Sequence, residues 1–260
     1  MDFGIHGNTA LVTASSSGLG LGCARSLALE GANVVICGRD TKRLENAKKE
    51  LESDAVGKIL AVETDLTQQN DIQRLFDRIE DEFGKLDHVV ASVGQPTDGT
   101  FDSLDIENWY AAYDTLIMSV VRTLKMAHPL ISKSEAGSVV LLTATAVKEI
   151  NPNLTLSSSI RRSTIGLMKV LSFEWAPIRI NAVLPGAHDT PLLTEHAQGS
   201  VDSGKYSSLS EALLGWADNP LNRIGEPQEI GDLVAFLSSP RASYITGTSI
   251  PVDGGRMRCT

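Results

Sequence analysis

The stretch Thr9–Gly20, TALVTASSSGLG, runs from a short apolar segment through small polar residues to two glycines. The apolar segment predicts a strand, and the small residues after it predict a turn into a helix. Gly18 and Gly20 would let the backbone approach a pyrophosphate, which the free N–H groups and the dipole of a helix N-terminus attract. Small residues also fill ordinary strand-to-helix turns, so this interpretation depends on what surrounds the segment.

Short apolar runs alternate with helical patterns along the whole chain. Strands are predicted at Thr9–Thr13, Asn33–Cys37, Ile59–Val62, His88–Ala91, Ser138–Leu142, Arg179–Val183 and Ser249–Val252. Helical spacing of apolar residues covers Asp71–Phe83, Ile106–Ile131 and Leu154–Glu174. This alternation predicts an α/β fold, a doubly wound parallel sheet of the Rossmann type with helices on both faces. No repeat or shift in composition marks a second domain, so residues 1–260 are predicted to form a single one.

One irregular segment, residues 191–220, is rich in Ser and Gly and shows only loose helical spacing around Leu209–Trp216. Excursions of this kind often close over a bound substrate, so we expect short helices that form a mobile lid. Side chains of this segment that are expected to line a substrate pocket are Leu192, Leu193, Tyr206, Leu213 and Trp216.

The composition excludes several classes of protein. The chain has 260 residues, of which 42% are hydrophobic and 21% charged, as in ordinary globular domains. Its formal net charge of −9 argues against nucleic acid or an anionic membrane as a partner, since either would need a basic face. No apolar run approaches the ~20 residues of a membrane span, and no signal peptide is visible. The cysteines form no CxxC motif and the histidines are scattered, so we expect a reducing, cytoplasmic location and no metal site.

The second predicted strand ends in Cys37-Gly38-Arg39-Asp40. At this position NAD-selective sites place a carboxylate that accepts a hydrogen bond from the ribose 2′-hydroxyl, whereas an arginine suits a 2′-phosphate. Arg39 therefore favours NADP(H) over NAD(H) as the cofactor. The alternative is that Arg39 is only an exposed arginine on a loop.

Several motifs, in the right order, resemble the classical-type short-chain dehydrogenase/reductase family over nearly the whole chain. TASSSGLG at residues 13–20 is similar to the family's TGxxxGxG, with Ala14 replacing the first glycine. Asp65 looks like the acidic residue that contacts adenine, and ASVG at residues 91–94 looks like a degraded NNAG. PGAHDT at residues 185–190 resembles the PGxxxT turn, whose threonine holds the nicotinamide carboxamide.

The C-terminal end, from PLNRIG at residues 220–225 to VDGG at residues 252–255, looks most like the 3-oxoacyl-(acyl carrier protein) reductase branch of this family. The resemblance implies a Rossmann-type dinucleotide site. The residues it assigns to that site, together with the arginine after the second strand, are Thr13, Ser15, Ser17, Gly18, Leu19, Gly20, Arg39, Asp65, Leu66, Ser92, Gly94, Arg161, Pro185, Gly186 and Thr190.

The family's catalytic tetrad of Asn, Ser, Tyr and Lys is absent from the matching positions. Alignment of the flanking segments puts Ala144 at the serine position, and Ser157 and Arg161 at the positions of the YxxxK motif. The asparagine position falls near Leu116, and no tyrosine occurs in residues 114–205. The family's usual mechanism, in which a tyrosine donates the proton, therefore cannot be transferred to this chain.

Five residues are candidates for the missing roles: Arg161, Ser157, Thr143, Thr145 and His188. Ser157 and Arg161 are four residues apart and share a helix face. Arg161 can hydrogen-bond ribose hydroxyls or a substrate oxyanion but stays charged, and so cannot serve as the acid. His188 titrates in a useful range. The alternatives are that Arg161 decorates a helix surface and that His188 is an ordinary loop histidine.

Two functions of different classes remain. The first is an NADP(H)-dependent oxidoreductase that reduces a small carbonyl or a conjugated enone. Conjugate hydride addition gives a delocalised enolate, which is less basic than an alkoxide, so hydrogen-bond donors or a cation can stabilise it while water supplies the proton. A bacilysin-pathway reductase of this family also lacks the tyrosine and looks similar. The second is a non-catalytic dinucleotide-binding pseudo-enzyme that acts as a sensor or a partner subunit.

The resemblance further implies a homodimer or homotetramer that forms through the two long helices at Ile106–Ile131 and Leu154–Glu174. Apolar residues that would make this contact, or would equally face the sheet, are Leu116, Val120, Leu124, Leu167 and Leu171. Tyr206 of the predicted lid stays open as a replacement acid.

Overall fold

Seven parallel strands form the sheet of the computed structural model, which describes residues 2–259. The strands are β1 (Thr9–Val12), β2 (Asn33–Gly38), β3 (Ile59–Glu63), β4 (His88–Ala91), β5 (Ser138–Leu142), β6 (Arg179–Pro185) and β7 (Ser249–Val252). Their order is β3-β2-β1-β4-β5-β6-β7, and each neighbouring pair is parallel. The predicted doubly wound sheet is confirmed, and the strand ends differ from the prediction by at most two residues.

Helices cover both faces of the sheet. They are α1 (Gly18–Leu29), α2 (Thr41–Glu52), α3 (Gln69–Phe83), α4 (Ile106–Tyr113), α5 (Ser119–Ile131), α6 (Thr155–Glu174), α7 (Pro191–Asp202), α8 (Leu209–Trp216) and α9 (Pro227–Ser238). In α3 the buried residues Ile72, Leu75 and Ile79 recur at helical spacing. The helix ends where Gly84 takes a left-handed φ of 63°, which glycine adopts without steric cost.

The chain is helical over Ile106–Ile131, as predicted. The helix is not regular throughout, because a π-helical turn at Asp114–Met118 lies between α4 and α5. Insertions of this kind leave little trace in apolar spacing and occur frequently at functional sites. Leu116, at the position expected for the family's asparagine, is buried in this turn and packs in a small apolar cluster with Ala112 and Leu156.

The core consists of two apolar layers, one on each side of the sheet. One layer packs α1, α2 and α9 against the sheet, and the other packs α3, α5 and α6 against its opposite face. The residues predicted for contacts between subunits belong to the interior instead: Leu116, Val120, Leu124 and Leu171 are buried, and Leu167 packs partly buried against the core. Sheet and subunit faces of a helix show the same apolar periodicity, and only the packing separates them.

Other apolar side chains of these helices are exposed. Tyr110 of α4 is 74% exposed and Phe173 of α6 is 77% exposed, and Tyr113 and Val170, each three residues away on the same helix, are at least half exposed. In residues 2–259 no helix is both long and apolar enough to cross a membrane.

The segment 191–220, predicted as a lid with short helices, contains α7 and α8. The second of these helices spans the residues that the spacing predicted, Leu209–Trp216. Thr190 begins α7, because its hydroxyl oxygen accepts a hydrogen bond from the backbone N–H of Leu193 at 3.2 Å. The lid segment is thus anchored directly to the loop that follows β6.

Candidate functional site

A cleft of about 840 Å³ opens at the carboxyl ends of the strands. It crosses the place between β1 and β4 where the strand order reverses, which is where open α/β sheets bind ligands. All five candidate catalytic residues line the cleft, as do all predicted cofactor residues except Thr13 and Ser15. The predicted cofactor residues that line it are Ser17, Gly18, Leu19, Gly20, Arg39, Asp65, Leu66, Ser92, Gly94, Arg161, Pro185, Gly186 and Thr190.

The glycine turn has the geometry of an anion site. Gly18 has a φ of +57°, and a Cβ atom built on Gly20 would lie 2.5 Å from the carbonyl oxygen of Ala14, so both positions need glycine. Ser17 caps α1 but makes no side-chain hydrogen bond to its first turn. The first N–H groups of α1 therefore point towards the cleft without a side-chain acceptor, which suits a phosphate.

Thr13 and Ser15 lie behind the cleft, contrary to their predicted role as cofactor contacts. Thr13 is buried, and its hydroxyl donates to the carbonyl oxygen of Ser92 at 2.5 Å. The hydroxyl of Ser15 donates to the carbonyl oxygen of Val12 at 2.6 Å and accepts from the N–H of Cys37 at 3.0 Å. Both side chains thus shape the turn and hold the neighbouring strands, because their hydrogen bonds are used within the protein.

At the end of β2, Arg39 lines the cleft together with two polar residues that the sequence analysis missed. Ser16 lies against Gly38, since a Cβ atom built on this glycine would be 3.0 Å from the Ser16 hydroxyl oxygen. Arg43, one helical turn beyond Arg39, makes an exposed ion pair with Asp40 at 3.6 Å. The four-residue spacing of the two arginines was a usable signal for this basic pair.

The residues after β3 form a self-contained turn beside the cleft. The Asp65 carboxylate accepts from the backbone N–H of Thr67 at 2.9 Å and from its hydroxyl at 2.8 Å. The backbone N–H of Asp65 donates to Asp71 at 3.0 Å. Asp65, Leu66 and Thr67 all line the cleft, and the hydrogen bonds fix the edge that the adenine-contacting acid was predicted to occupy.

Ser157 and Arg161 form a buried pair on one face of α6. Arg161 Nε donates to Ser157 Oγ at 3.0 Å, and Nη2 donates to the carbonyl oxygen of Gly94 and to Gln95 Oε1, both at 3.3 Å. Arg161 is 6% exposed and forms no ion pair with an Asp or Glu of residues 2–259. Because of this burial its pKa falls to about 10, so it remains a cation at neutral pH.

The hydroxyls of Thr143 and Thr145 differ in what they can offer a ligand. Thr143 is buried and its hydroxyl donates to the carbonyl oxygen of Val183 at 3.2 Å, which ties β5 to β6. Thr145 begins the short 3₁₀ turn after β5, and its hydroxyl makes no hydrogen bond within the described part of the chain. Thr145 is therefore the better placed of the two to donate into the cleft.

His188 is nearly enclosed by protein. Its Nδ1 lies 3.1 Å from the carbonyl oxygen of Gly186, so Nδ1 carries the proton of the neutral ring. The other side of the ring packs on Gly225, where a built Cβ atom would lie 2.8 Å from Nε2. Burial lowers the pKa of His188, which keeps it neutral and without a free N–H at neutral pH. This geometry favours the alternative of an ordinary loop histidine.

The lid segment contributes only part of what was predicted. Leu192, Leu193 and Trp216 line the cleft, but Tyr206 and Leu213 do not. The Tyr206 hydroxyl packs on α8, against Gly215, which removes it as the replacement acid in this conformation. The sequence could not separate these five side chains, because all of them are apolar or amphipathic. The geometry of the turns and helices determines which of them reach the cleft.

Further lining residues were missed: Gln95, Thr115, Ser119, Glu149, Glu195, His196 and Arg256. His196 of α7 reaches across to the loop after β4, with its Nε2 at 3.4 Å from the Asp98 carboxylate. These residues come from distant segments that meet only in the fold. Within residues 2–259 no group of three or more His, Cys, Asp and Glu side chains could hold a metal ion.

Comparisons with known proteins identify the family. The family model described as Enoyl-(Acyl carrier protein) reductase matches residues 13–256, which is nearly the whole chain. The chain belongs to the short-chain dehydrogenase/reductase family. The 3-oxoacyl-[acyl-carrier-protein] reductase FabG of Thermotoga maritima is 28% identical to this short-chain dehydrogenase/reductase over 253 residues, covering 96% of this chain and 98% of that protein.

Solved structures of other short-chain dehydrogenase/reductases are also similar. The L-sorbose reductase of Gluconobacter frateurii, complexed with NADPH and L-sorbose, matches with a TM-score of 0.95 at 26% identity, and all of both chains is covered. YwfH, an NADPH-dependent reductase involved in bacilysin biosynthesis, matches with a TM-score of 0.90 at 27% identity over 98% of this chain and 100% of that one. The predicted family and its oxidoreductase class are thereby confirmed.

Proposed function

We propose that this short-chain dehydrogenase/reductase is an NADP(H)-dependent reductase with a non-standard active site, which reduces a small carbonyl or conjugated enone substrate. The observation that carries the proposal is the buried Ser157–Arg161 pair at the cleft surface, a cation without an acid partner in residues 2–259. Burial of an unpaired charge disfavours the folded state, so a fold that tolerates one at a ligand cleft is best explained by an anionic or oxyanionic ligand.

The residues of the cleft fit a dinucleotide phosphate. The close-packed glycine turn and the uncapped first turn of α1 suit a pyrophosphate. Arg39, Arg43 and Ser16 would surround a 2′-phosphate, which supports NADP(H) over NAD(H). Bound NADPH would supply the hydride. A Cβ atom built on Gly18 would lie 3.4 Å from the methyl group of Thr190, and the Thr190 hydroxyl caps α7, so Thr190 lies between the glycine turn and segment 191–220.

Stabilisation of an oxyanion is the task that Ser157 and Arg161 can perform. Ser157 Oγ accepts from Arg161 Nε, which leaves the Ser157 proton free to donate to a substrate oxygen. The hydroxyl of Thr145 is the second available donor. Two neutral donors beside one cation suit the delocalised charge of an enolate better than a localised alkoxide, because water can protonate the enolate carbon without a strong acid in the site.

A pseudo-enzyme that binds a dinucleotide without turnover is the second candidate. One observation favours it: among the described residues that line the cleft there is no Tyr, Lys or Cys, and His188 is neutral and enclosed. A binding protein needs neither the tyrosine nor the lysine of the family's tetrad, so a lining without them suits it. Absence of turnover with every carbonyl and enone tried, together with tight NADPH binding, would support this candidate.

The lid and the subunit contacts are proposals of the same kind. We propose that residues 191–220 close over a small-molecule substrate, with His196 and Asp98 meeting across the cleft mouth. We also propose a homodimer or homotetramer whose contact includes the exposed side chains Tyr110 and Phe173, because they lie on the two helical segments that the family resemblance assigns to that contact.

The first experiment is a fluorescence titration of the protein with NADPH and, separately, NADH. Micromolar binding with a preference for NADPH supports the cofactor assignment, and equal or absent binding contradicts it. The second experiment follows NADPH oxidation with paired enones and saturated ketones. Arg161→Ala should lose most enone turnover, whereas Arg162→Ala, an exposed arginine on the same helix, should retain it. Unchanged turnover in Arg161→Ala would remove this residue from the mechanism.

A further inference from the structure

Arg256, like Arg39 and Arg161, is a cation of the cleft without an acid partner in the described part of the chain. Its side chain is partly buried and lines the cleft, yet the guanidinium forms neither a hydrogen bond nor an ion pair within residues 2–259. Only its backbone N–H is engaged, with the carbonyl oxygen of Asp253 at 3.3 Å. An arginine held at a ligand cleft without a carboxylate is free to bind an anion from outside.

The turn that carries Arg256 is fixed on both sides. A Cβ atom built on Gly186 would lie 2.7 Å from Asp253 Cβ, and one built on Gly254 would lie 2.5 Å from Asn219 Oδ1. The Asp253 carboxylate also accepts from the backbone N–H of Met257 at 2.8 Å. The turn is thus packed between the loop after β6 and the end of segment 191–220, and Arg256 lines the cleft beside them.

The position of Arg256 separates it from the predicted 2′-phosphate site. Arg39 follows β2 and Arg256 follows β7, and these strands are five places apart in the sheet. At roughly 4.8 Å between neighbouring strands, their ends are about 24 Å apart. A 2′-phosphate at Arg39 is therefore out of reach of Arg256, and an anion at Arg256 must belong to another part of the bound ligands.

The cleft that Arg256 lines suits an amphipathic substrate. The lid side chains Leu192, Leu193 and Trp216 line the same cleft and are apolar or aromatic. Glu149 and Glu195 also line it, but neither is paired with an arginine of the cleft in residues 2–259. Since the chain carries a net charge of −9, an acidic substrate would need a local cation to be held here.

We propose that the substrate is a small organic acid and that Arg256 binds its carboxylate, while Ser157 and Arg161 face its reactive carbonyl oxygen. The contact of Ser157 and Arg161 with the carbonyl oxygen rests on the proposed reductase function, whereas the contact of Arg256 with the carboxylate does not. Arg256 would then determine specificity, because a guanidinium pairs with a carboxylate through two parallel hydrogen bonds that an ester cannot accept in the same way.

The test separates binding from turnover. Levulinate and methyl levulinate, a keto acid and its neutral ester, are titrated calorimetrically into the protein saturated with NADP⁺. Wild type should bind the acid about tenfold or more tightly than the ester, which corresponds to one charge-assisted contact. Arg256→Met should remove this preference and leave the affinity for NADPH unchanged, and Arg256→Lys should restore part of it. Equal affinities in wild type, or a preference that survives in Arg256→Met, would overturn the proposal.

Turnover is measured in parallel with 4-oxopent-2-enoate and its methyl ester. The expected result is a kcat/KM ratio of acid to ester that falls by about tenfold in Arg256→Met, with the change mainly in KM. If neither enone is reduced while the acid still binds through Arg256, the reductase proposal fails and the carboxylate site stands. If both are reduced at equal kcat/KM by wild type, the carboxylate site fails and the reductase proposal stands.

Discussion

Replacing Arg161 with methionine separates a role in ligand binding from a role in the fold, because the two predict stability changes of opposite sign. The buried guanidinium has a pKa of about 10 instead of 12.5, and loss of hydration is the cause. At roughly 1.4 kcal/mol per pH unit, burial of this charge disfavours the folded state by about 3 kcal/mol. Methionine fills a similar volume without the charge.

The pH range of this penalty follows from the direction of the change. The folded protein holds the proton less tightly than the unfolded chain, so the penalty is fully present below a pH of about 10 and declines as the pH rises towards 12.5. A measurement near neutral pH therefore contains all of it. The hydrogen bond of Arg161 with Ser157 offsets about 1 kcal/mol of this penalty. The two longer hydrogen bonds, with Gly94 and Gln95, offset about 1 kcal/mol or less each.

Arg161→Met should consequently raise the free energy of unfolding of the cofactor-free protein by about 1 kcal/mol while it abolishes turnover. Urea unfolding followed by far-ultraviolet circular dichroism measures the first quantity, and NADPH oxidation measures the second. Arg162→Met is the matched control on the exposed side of α6 and should change stability by less than about 0.5 kcal/mol. A loss of about 1 kcal/mol or more in Arg161→Met would refute the reasoning, since Arg161 would then hold α6 to the loop after β4 as a structural residue.

Three further outcomes are expected. Arg39→Ser should weaken NADPH binding by about tenfold or more and leave NADH binding unchanged in a fluorescence titration, because one phosphate contact is lost; equal losses for both would contradict this. Burial lowers the pKa of His88 to about 4, so wild type should lose up to about 1.4 kcal/mol of stability per pH unit as the pH falls from 6.5 towards 4. His88→Gln should have a shallower pH dependence in urea unfolding, and identical slopes would show that His88 does not contribute. Phe173→Glu should shift the protein towards monomer in sedimentation velocity, whereas an unchanged assembly would exclude this face.

Periodicity was enough to predict the sheet, because a strand buried on both faces must be a short apolar run and a crossover helix must follow it. All seven strands and α8 of segment 191–220 lie where the spacing placed them, whereas the bounds of α7 were not predicted. The glycine turn could also be predicted from residue types. It needs φ above zero at Gly18 and no Cβ atom at Gly20, and only glycine satisfies both conditions.

The direction of individual side chains could not be predicted from the sequence, because it depends on contacts between segments far apart in the chain. Thr13 and Ser15 were predicted to contact the cofactor but face inwards. The Thr13 hydroxyl donates to the carbonyl oxygen of Ser92, and the Ser15 hydroxyl accepts from the backbone N–H of Cys37. Tyr206 was an open candidate for the acid until its packing on Gly215 placed it outside the cleft.

The sequence by itself therefore determined the family and the fold, because these depend on residue types at fixed spacings. Only the tertiary structure decided which cations are unpaired. The spacing of Ser157 and Arg161 predicted that they share a face, but the absence of a carboxylate beside Arg161 in residues 2–259 is a property of everything packed around it. Tertiary structure likewise places Arg256 on the cleft surface, because the turn after β7 meets the loop after β6 and the end of segment 191–220 only in the folded chain.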